Sequence, residues 1–184
     1  APVEDAPKGL MVQRMKYNGD GKIVLTYAST EGPWNNPRGN GGIRLLNIAD
    51  DSITDITPEK NGYGDVVIDP ANPDRMVAVT ENVYDQQANG TFGDDFYVTT
   101  DGGKTWKNIN LDMTMSGGDV SWHNESSMHW CSSLAIDPHN TGKIMVVSGN
   151  GIFSCDNIWD EHPAFYFFAE GIEETVPYEL VSIP

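Results

Sequence analysis

Carboxyl side chains are the first residues in this sequence that could do chemistry, because a general acid and a general base are often an Asp or Glu pair. Two adjacent pairs occur, Asp94–Asp95 and Glu173–Glu174. Adjacent residues of a strand point to opposite faces, so neither pair could act jointly on one bond. No carboxyl pair in the sequence therefore stands out as an acid and a base.

Metal and nucleophile chemistry are equally poorly supported. His123 and His129 are six residues apart with Glu125 between them, a spacing that matches no zinc signature. The turn at residues 18–21, Asn-Gly-Asp-Gly, lacks the later acidic ligands of a calcium loop and is better explained as a hairpin turn. No G-x-S-x-G motif supports a serine nucleophile. We expect neither a metal nor another cofactor.

Three long loops carry aromatic and amide side chains, which suit the C–H faces and hydroxyl groups of sugars. The loops span residues 29–41, 81–94 and 112–129, and loops this long in a compact β-protein are often functional. The alternative to sugar binding is that the aromatic rings only hold the loops in place and that the arginine is a solvated charge. The candidate substrate-binding residues are Trp34, Asn35, Arg38, Tyr84, Trp122 and Trp130.

The net charge of the chain restricts the classes of molecule that it could bind. The chain has 184 residues, with 11 Lys and Arg against 27 Asp and Glu, for a net charge of −16. Such a surface repels nucleic acids and anionic membranes, whereas neutral polymers remain compatible. No stretch approaches the about 20 apolar residues of a membrane span. The two cysteines, Cys131 and Cys155, could form a disulfide or remain free thiols.

Short β-like runs separated by Gly, Pro, Asn and Asp predict an all-β fold. No run of ten residues has helical periodicity. The twelve predicted strands span residues 12–17, 22–28, 42–47, 52–57, 64–68, 76–80, 96–99, 106–111, 131–136, 143–148, 151–154 and 164–169.

These strands form three repeats of four, an arrangement typical of β-propeller blades. Residues 64–80, GDVVIDPANPDRMVAVT, align with residues 132–148, SSLAIDPHNTGKIMVVS. We predict blades at about residues 10–60, 61–115 and 128–172, with residues 173–184 starting a further blade. Within that last segment, Glu174–Ser182 are predicted to form the inner strand. Three blades are an arc of a larger ring, so we expect its open flanks to be covered by further blades or by a second copy.

The octet TTDGGKTW at residues 99–106 predicts a rigid hairpin tip. Its glycines can take the positive φ of a tight turn, and an Asp side chain can accept hydrogen bonds from nearby backbone N–H groups. The pattern is an Asp box, and the residues to which we assign a structural role are Thr99, Asp101, Gly103, Thr105 and Trp106.

Several segments together resemble glycoside hydrolase family 74, in the order in which that family has them. They are GLMVQRMKYNGDGKIVLTYASTEGP at residues 9–33, TDITP at 54–58, the Ile-Asp-Pro-x-Asn turns, the Asp box, and GIEETVPYELVSIP at 171–184. The resemblance spans nearly the whole chain. It implies about a quarter of a xyloglucanase, from the end of the first of two seven-bladed propellers.

The resemblance implies a secreted, inverting hydrolase of xyloglucan or a related β-1,4-glucan. In that family the catalytic Asp residues lie in D-[VI]-G-G and G-D-x-G-G motifs, and neither motif occurs here. The segment would then line the substrate cleft without supplying the acid or the base, and would be inactive alone. A non-catalytic carbohydrate-binding or assembly module is the alternative. A sialidase-like propeller is disfavoured, because the four Arg residues are scattered.

Overall fold

The structure of the chain is a computed structural model that describes residues 9–29, 41–81, 93–117, 128–172, 175 and 177–183. These ranges contain thirteen β-strands and no helix, and thus no helix that could cross a membrane. The predicted all-β fold class, with antiparallel four-stranded sheets, is confirmed.

Three sheets contain the strands. The first has the order β1 (Leu10–Tyr17), β2 (Lys22–Ser29), β3 (Gly41–Asn47) and β4 (Ile53–Asp55). The second has the order β5 (Tyr63–Ile68), β6 (Met76–Thr80), β7 (Phe96–Thr99) and β8 (Lys107–Asn108). The third has the order β10 (Ser133–Ile136), β11 (Ile144–Ser148), β12 (Gly151–Cys155), β13 (Ala164–Phe167) and β9 (Thr114–Ser116).

All twelve predicted strands are present, but the fourth strands of the first two sheets are shorter than predicted. The predicted strand at residues 52–57 shortens to Ile53–Asp55, and that at residues 106–111 shortens to Lys107–Asn108. In both, a side chain ends the strand. The Asp55 carboxylate accepts the backbone N–H of Thr57 at 2.9 Å, and the Asn108 amide oxygen accepts that of Asn110 at 2.9 Å. These Asx turns replace the ladder bonds of a sheet.

Strand β9 lies in a segment that the sequence predicts to be loop. It pairs with β13 in parallel, with Thr114 opposite Ala164, and adds a fifth strand to the third sheet. The N–H of Thr114 donates to the carbonyl of Pro163 at 2.9 Å. A three-residue strand is too short to show alternation. Strand β9 also belongs to the third sheet, although the predicted end of the second blade, at about residue 115, falls within this strand.

The second sheet is buried on both faces, which explains its nearly continuous apolar strands. Its register aligns Val66, Ala78 and Tyr97 on one face and Val67, Val77 and Val98 on the other. The first face packs against residues of the first sheet such as Val24 and Ile43. The second face packs against the third sheet, including Leu134, Ile144, Val146, Phe153 and Phe165. The sheets therefore stack side by side, as the repeats predict.

The aligned Ile-Asp-Pro segments form the same turn in two sheets. In the second, Asp69 N–H donates to the carbonyl of Arg75 at 2.9 Å, and the Asp69 carboxylate accepts the N–H of Ala71 at 2.8 Å. In the third, Asp137 N–H donates to Lys143 at 2.9 Å, and the Asp137 carboxylate accepts the N–H of His139 at 2.8 Å. The sequence repeat is therefore a repeat in structure.

A buried carboxylate links the first strands of all three sheets. Asp65 on β5 is fully buried and accepts Lys16 Nζ of β1 at 2.9 Å and the N–H of Leu134 of β10 at 2.7 Å. It also accepts the N–H of Val66 at 2.7 Å. Lys16 Nζ also donates to the carbonyl of Leu134 at 3.1 Å. We call Lys16, Asp65 and Leu134 the inner-strand node.

The described residues 177–183 lie beside β10 without forming a strand. Their hydrogen bonds are to serine side chains: Ser132 Oγ donates to the carbonyl of Tyr178 at 2.9 Å, and Leu180 N–H donates to Ser133 Oγ at 3.2 Å. A strand requires a backbone ladder to a neighbour, and these contacts provide none. The assignment of residues 173–184 to a further blade, like the other blade boundaries, stays a prediction.

Both cysteines are buried free thiols. Cys131 precedes the start of β10, and Cys155 ends β12. Burial raises the pKa of both thiols, and the nearby Asp94 carboxylate raises that of Cys131 further. The alternative of a disulfide between them is therefore not realised in this fold.

Candidate functional site

The antiparallel order places comparable connections at one edge of the three sheets. At this edge β2 leads to β3, β6 to β7 and β11 to β12, and strands β5 and β10 begin. We call it the long-loop edge. Of the predicted substrate-binding residues, Trp34, Asn35, Arg38, Tyr84 and Trp122 lie outside the described residues, and Trp130 lies within them.

Trp130 is held in an unusual conformation at the long-loop edge. Its φ is +54°, in the left-handed region, which costs about 1–3 kcal/mol for a residue other than glycine. The surrounding contacts maintain it. Ser148 Oγ donates to the carbonyl of His129 at 2.9 Å, and Gly149 N–H donates to the same carbonyl at 2.6 Å. The half-buried indole therefore sits on a fixed backbone.

Gly149 is required for this arrangement by close packing. A Cβ at residue 149 would lie 2.9 Å from Cε3 of Trp130 and 3.3 Å from the carbonyl oxygen of His129. Real Cβ atoms do not approach other atoms this closely without displacing them. The β11–β12 connection therefore packs directly against the Trp130 ring.

Asp94 ties together the chain ends that flank two of the long loops. Its carboxylate is fully buried and accepts Thr80 Oγ1 at 2.9 Å and the N–H of Cys131 at 2.8 Å. Its own N–H donates to the carbonyl of Met128 at 2.7 Å. Residues 93–94 and 128–131 therefore meet at one point, which fixes one end of each adjoining loop.

Asp95 and Asn110 extend this network. Asn110 Nδ2 donates to the carbonyl of Asp94 at 3.0 Å and to the carboxylate of Asp95 at 3.1 Å. The Asn110 amide oxygen accepts the N–H of Phe96 at 2.8 Å, and Thr80 Oγ1 accepts the N–H of Asp95 at 2.9 Å. We call Thr80, Asp94, Asp95, Asn110 and Cys131 the loop anchor.

An exposed carboxylate is also fixed at the long-loop edge. Tyr97 Oη donates to Glu59 Oε2 at 2.8 Å, and Tyr63 Oη donates to the backbone carbonyl of Glu59 at 2.7 Å. Burial raises the pKa of both phenols, so they stay protonated donors.

Glu81, which is half-buried at the end of β6, has a pKa raised by burial and lowered in part by Arg14.

The buried carboxylates of the described ranges support the fold. Asp65 serves the inner-strand node, while Asp94 and Asp95 serve the loop anchor, so the structure gives Asp94 and Asp95 no joint role as an acid and a base. Glu173 and Glu174 lie outside the described residues. Among the residues that are described, no group of three or more His, Cys, Asp or Glu side chains is arranged to hold a metal.

The Asp box forms a closed hydrogen-bonded turn at the end of β7 opposite the β6–β7 loop. Asp101 accepts Thr99 Oγ1 at 2.8 Å, Thr105 Oγ1 at 2.6 Å and the N–H of Thr105 at 2.9 Å. Gly103 N–H donates to Thr99 Oγ1 at 3.1 Å. Trp106 Nε1 donates to the carbonyl of Ile56 at 2.7 Å, which joins the turn to the first sheet.

Close approach explains the second glycine of the box. Gly103 has φ +84°, and a Cβ there would lie 2.9 Å from Cβ of Ile56. The turn therefore packs directly on the first sheet. These contacts support the structural role that we assign to the five Asp-box residues.

We expect the Asp101 carboxylate to titrate well below the ordinary Asp pKa of 3.8. Hydrogen bonds from Thr105 and Thr99 lower its pKa to about 2. Its stabilising effect is fully present above the unfolded pKa of about 3.9 and is lost as the pH falls through the folded value. An NMR titration of the side-chain carboxyl carbon measures this midpoint.

The matched variant is Thr105→Val, which removes the hydroxyl donor at similar shape. We expect it to raise the pKa of Asp101 towards the ordinary value of 3.8. A wild-type midpoint near that ordinary value, or no change in the variant, would contradict the hydrogen-bond account.

The loop anchor and Glu59 are the elements of this edge that sequence reasoning missed. A signal was present: Gly93, Asp94 and Asp95 directly precede a buried strand, where a charged side chain needs partners to be tolerated. The partner Cys131 is 37 residues away, so the sequence does not identify the contact.

Comparisons with known proteins confirm the resemblance to glycoside hydrolase family 74. The chain matches no protein-family model. It is 25% identical to an oligoxyloglucan-reducing end-specific xyloglucanase of Emericella nidulans, over 98% of this chain and 29% of the relative. It is 28% identical to the xyloglucanase Xgh74A of Acetivibrio thermocellus, over 99% of this chain and 24% of the relative.

Solved structures agree with the sequence relatives. The GH74 enzyme of Niastella koreensis has a TM-score of 0.77 and 32% identity, over 86% of this chain and 24% of that one. The GH74 xyloglucanase of Xanthomonas campestris has a TM-score of 0.74 and 27% identity, over 91% of this chain and 24% of that one. The chain thus spans about a quarter of the length of the proteins it matches.

Proposed function

We propose that this chain is a segment of a secreted, inverting xyloglucan hydrolase and that its long-loop edge forms part of the polysaccharide cleft. The observation that carries the proposal is the similarity to a xyloglucanase in sequence and to a GH74 enzyme in structure, over 99% and 86% of this chain. The sequence relatives are xyloglucanases, which supports xyloglucan as the substrate class.

The chemistry of the long-loop edge supports a neutral polysaccharide as ligand. A net charge of −16 repels polyanions but does not oppose a neutral glucan. Trp130 offers an indole on a fixed backbone, and aromatic faces suit the C–H faces of glucosyl rings. Glu59, which Tyr97 holds at 2.8 Å, can accept hydrogen bonds from sugar hydroxyls.

The five candidates outside the described residues complete the proposed binding surface. Trp34 and Trp122 would stack on sugar rings together with Tyr84, while Asn35 and Arg38 would hydrogen-bond to hydroxyls. Their loops belong to the same connections as the described chain ends at this edge. Partners of this kind are extracellular polymers, so we place the parent protein outside the cell.

Catalysis requires groups that we assign to parts of the parent enzyme outside this chain. Inverting hydrolysis needs two carboxyls about 6.5–9.5 Å apart on opposite sides of the bond. The buried carboxylates Asp65, Asp94 and Asp95 are engaged in backbone and side-chain contacts that stabilise the fold. We therefore expect the chain to bind xyloglucan and to release no reducing sugar from it.

Trp130→Ala tests the binding role. Because an aromatic contact is worth about 0.5–1.5 kcal/mol, we expect affinity for xyloglucan to fall about 2–12-fold. Affinity electrophoresis in gels with and without the polysaccharide measures this change. Tyr17→Ala is the matched control, because this ring is 61% exposed and lies at the end of β1 opposite the long-loop edge.

The outcomes separate the candidate functions. Retardation of the wild type without released reducing sugar supports the proposal, and weaker retardation of Trp130→Ala places the ligand at the long-loop edge. Equal mobility of the wild type in both gels would contradict the cleft assignment. Released reducing sugar would contradict the assignment of the catalytic pair to other parts of the parent enzyme.

A further inference from the structure

Glu59 is an exposed residue whose backbone and side chain are both fixed by buried tyrosines. Tyr63 Oη donates to the carbonyl of Glu59 at 2.7 Å and accepts the N–H of Glu59 at 3.2 Å. Tyr97 Oη donates to Glu59 Oε2 at 2.8 Å. Glu59 is therefore held at two points, one on its main chain and one at the tip of its side chain.

The two tyrosines form a rigid base for this carboxylate. Tyr63 and Tyr97 are 0% and 4% exposed, and their ring centroids are 6.2 Å apart. Both rings belong to the core that contains Val24 and Ile43 of the first sheet. This core lies between the first and second sheets, so the chain itself forms both of the walls that support Glu59.

The surroundings of Glu59 favour one class of ligand and oppose another. Its Oε1 is the carboxylate oxygen that Tyr97 does not hold, and an ionised carboxylate can only accept hydrogen bonds. Burial raises the pKa of the Tyr97 phenol most, and the carboxylates of Glu59 and Asp95 raise it further, so two negative charges lie near this phenol. A ligand hydroxyl can donate to Oε1, whereas an ionised ligand carboxylate offers no proton and is repelled.

We propose that Glu59 is a specificity-determining residue of the long-loop edge, which accepts hydrogen bonds from the hydroxyls of a neutral glucan and excludes glycans that carry carboxylates. Tyr97 is its positioning residue, because it fixes the side chain before the ligand arrives. Ordering such a side chain on binding would otherwise cost about 2–12-fold in affinity. The inference rests on the proposed polysaccharide cleft and names the class of glycan that the cleft selects.

Isothermal titration calorimetry of the full chain with two probes tests this inference. The probes are a xyloglucan oligosaccharide and the same oligosaccharide oxidised at its primary hydroxyls to carboxylates. We expect wild type to bind the neutral probe at least about 5-fold more tightly, the effect of one like-charge contact at about 4 Å in water. Tyr97→Phe keeps the carboxylate but removes the donor that holds it, and should weaken binding of the neutral probe about 2–12-fold.

Glu59→Gln removes the charge at nearly the same shape. The amide oxygen of this variant would accept from Tyr97 and the NH2 group would turn outward, so it offers a donor where wild type offers an acceptor. We expect it to bind the neutral probe more weakly and the carboxylated probe more tightly than wild type does. Glu161→Gln removes an exposed charge from the β12–β13 connection, opposite the long-loop edge, and should leave both affinities unchanged.

A double-variant cycle separates positioning from packing. With Glu59→Ala in place, Tyr97→Phe should cause no further loss of binding, because no carboxylate is left to position. An equal loss in both backgrounds would give Tyr97 a purely structural role and overturn the positioning step. Circular dichroism checks folding, and Glu59→Gln, at an exposed position, carries the test if Tyr97→Phe does not fold.

The outcomes distinguish this inference from the proposed function. A wild type that binds both probes equally, or a Glu59→Gln variant that keeps the wild-type preference, would overturn the role of Glu59 and leave the polysaccharide cleft standing. A wild type that binds neither probe would contradict the cleft and, with it, the inference.

Discussion

Replacing Asp65 with Ala is expected to destabilise the chain by about 2–6 kcal/mol, because the buried N–H groups of Leu134 and Val66 lose their acceptor at about 1–3 kcal/mol each. The change removes the acceptor for Lys16 Nζ and for the backbone N–H groups of Leu134 and Val66. These bonds join β1, β5 and β10, so the loss affects all three sheets together. Urea unfolding followed by circular dichroism measures the free energy change.

Two further variants test the contribution of the Lys16 charge: a control at an exposed ion pair and a double variant that removes the charge. Asp20→Ala removes an exposed partner of Lys22 at 3.7 Å, and we expect a loss of about 0–1 kcal/mol. Adding Lys16→Met to Asp65→Ala should recover part of the lost stability, because it removes the cation left without its partner. An Asp65→Ala variant no less stable than Asp20→Ala would show that the inner-strand node does not join the sheets.

Replacing Asp94 with Ala is expected to cost about 2–6 kcal/mol and to release the long-loop edge. The buried Cys131 N–H and Thr80 hydroxyl both lose their acceptor, and each unsatisfied group costs about 1–3 kcal/mol. Because the lost bonds hold residues 93–94 against 128–131, we expect faster hydrogen exchange there than in β5 or β6. Hydrogen–deuterium exchange and urea unfolding measure the two effects.

The consequence for binding follows from the proposed cleft. If the loop anchor positions the adjoining loops, Asp94→Ala should also weaken retention by xyloglucan under conditions in which the variant stays folded. Asp94→Asn keeps one acceptor oxygen and should show a smaller loss, and Glu170→Ala, at an exposed position, should change neither property. Uniform exchange across the sheets in Asp94→Ala would contradict a local anchoring role.

Local patterns were enough to predict the sheets. Apolar runs bounded by Gly, Pro, Asn and Asp located all twelve strands that were predicted, and the aligned Ile-Asp-Pro segments identified the repeat. Their signals lie within a few residues, as in the Asp69 and Asp137 turns. The turn of the Asp box is equally local, because the side-chain bonds among Thr99, Asp101 and Thr105 span two to four residues, whereas the bond from Trp106 to Ile56 spans 50.

Long-range contacts could not be predicted in the same way. The bond from Leu134 N–H to Asp65 spans 69 residues, and the bond from Cys131 N–H to Asp94 spans 37. Strand β9 needed its parallel partner β13, about 50 residues further along the chain, to be recognisable. For the candidate site, the sequence identified loops and residue types, whereas the anchor that fixes their ends depends on the folded topology.

The central claim, that the long-loop edge binds xyloglucan, is tested most directly by an NMR titration of the full chain with a xyloglucan oligosaccharide. We predict that backbone signals of Glu59, Gly62, His129, Trp130 and Asn150 shift, while those of the opposite turns at residues 18–21, 69–75 and 137–143 do not. Shifts confined to those opposite turns, or no shifts at saturating oligosaccharide, would contradict the account.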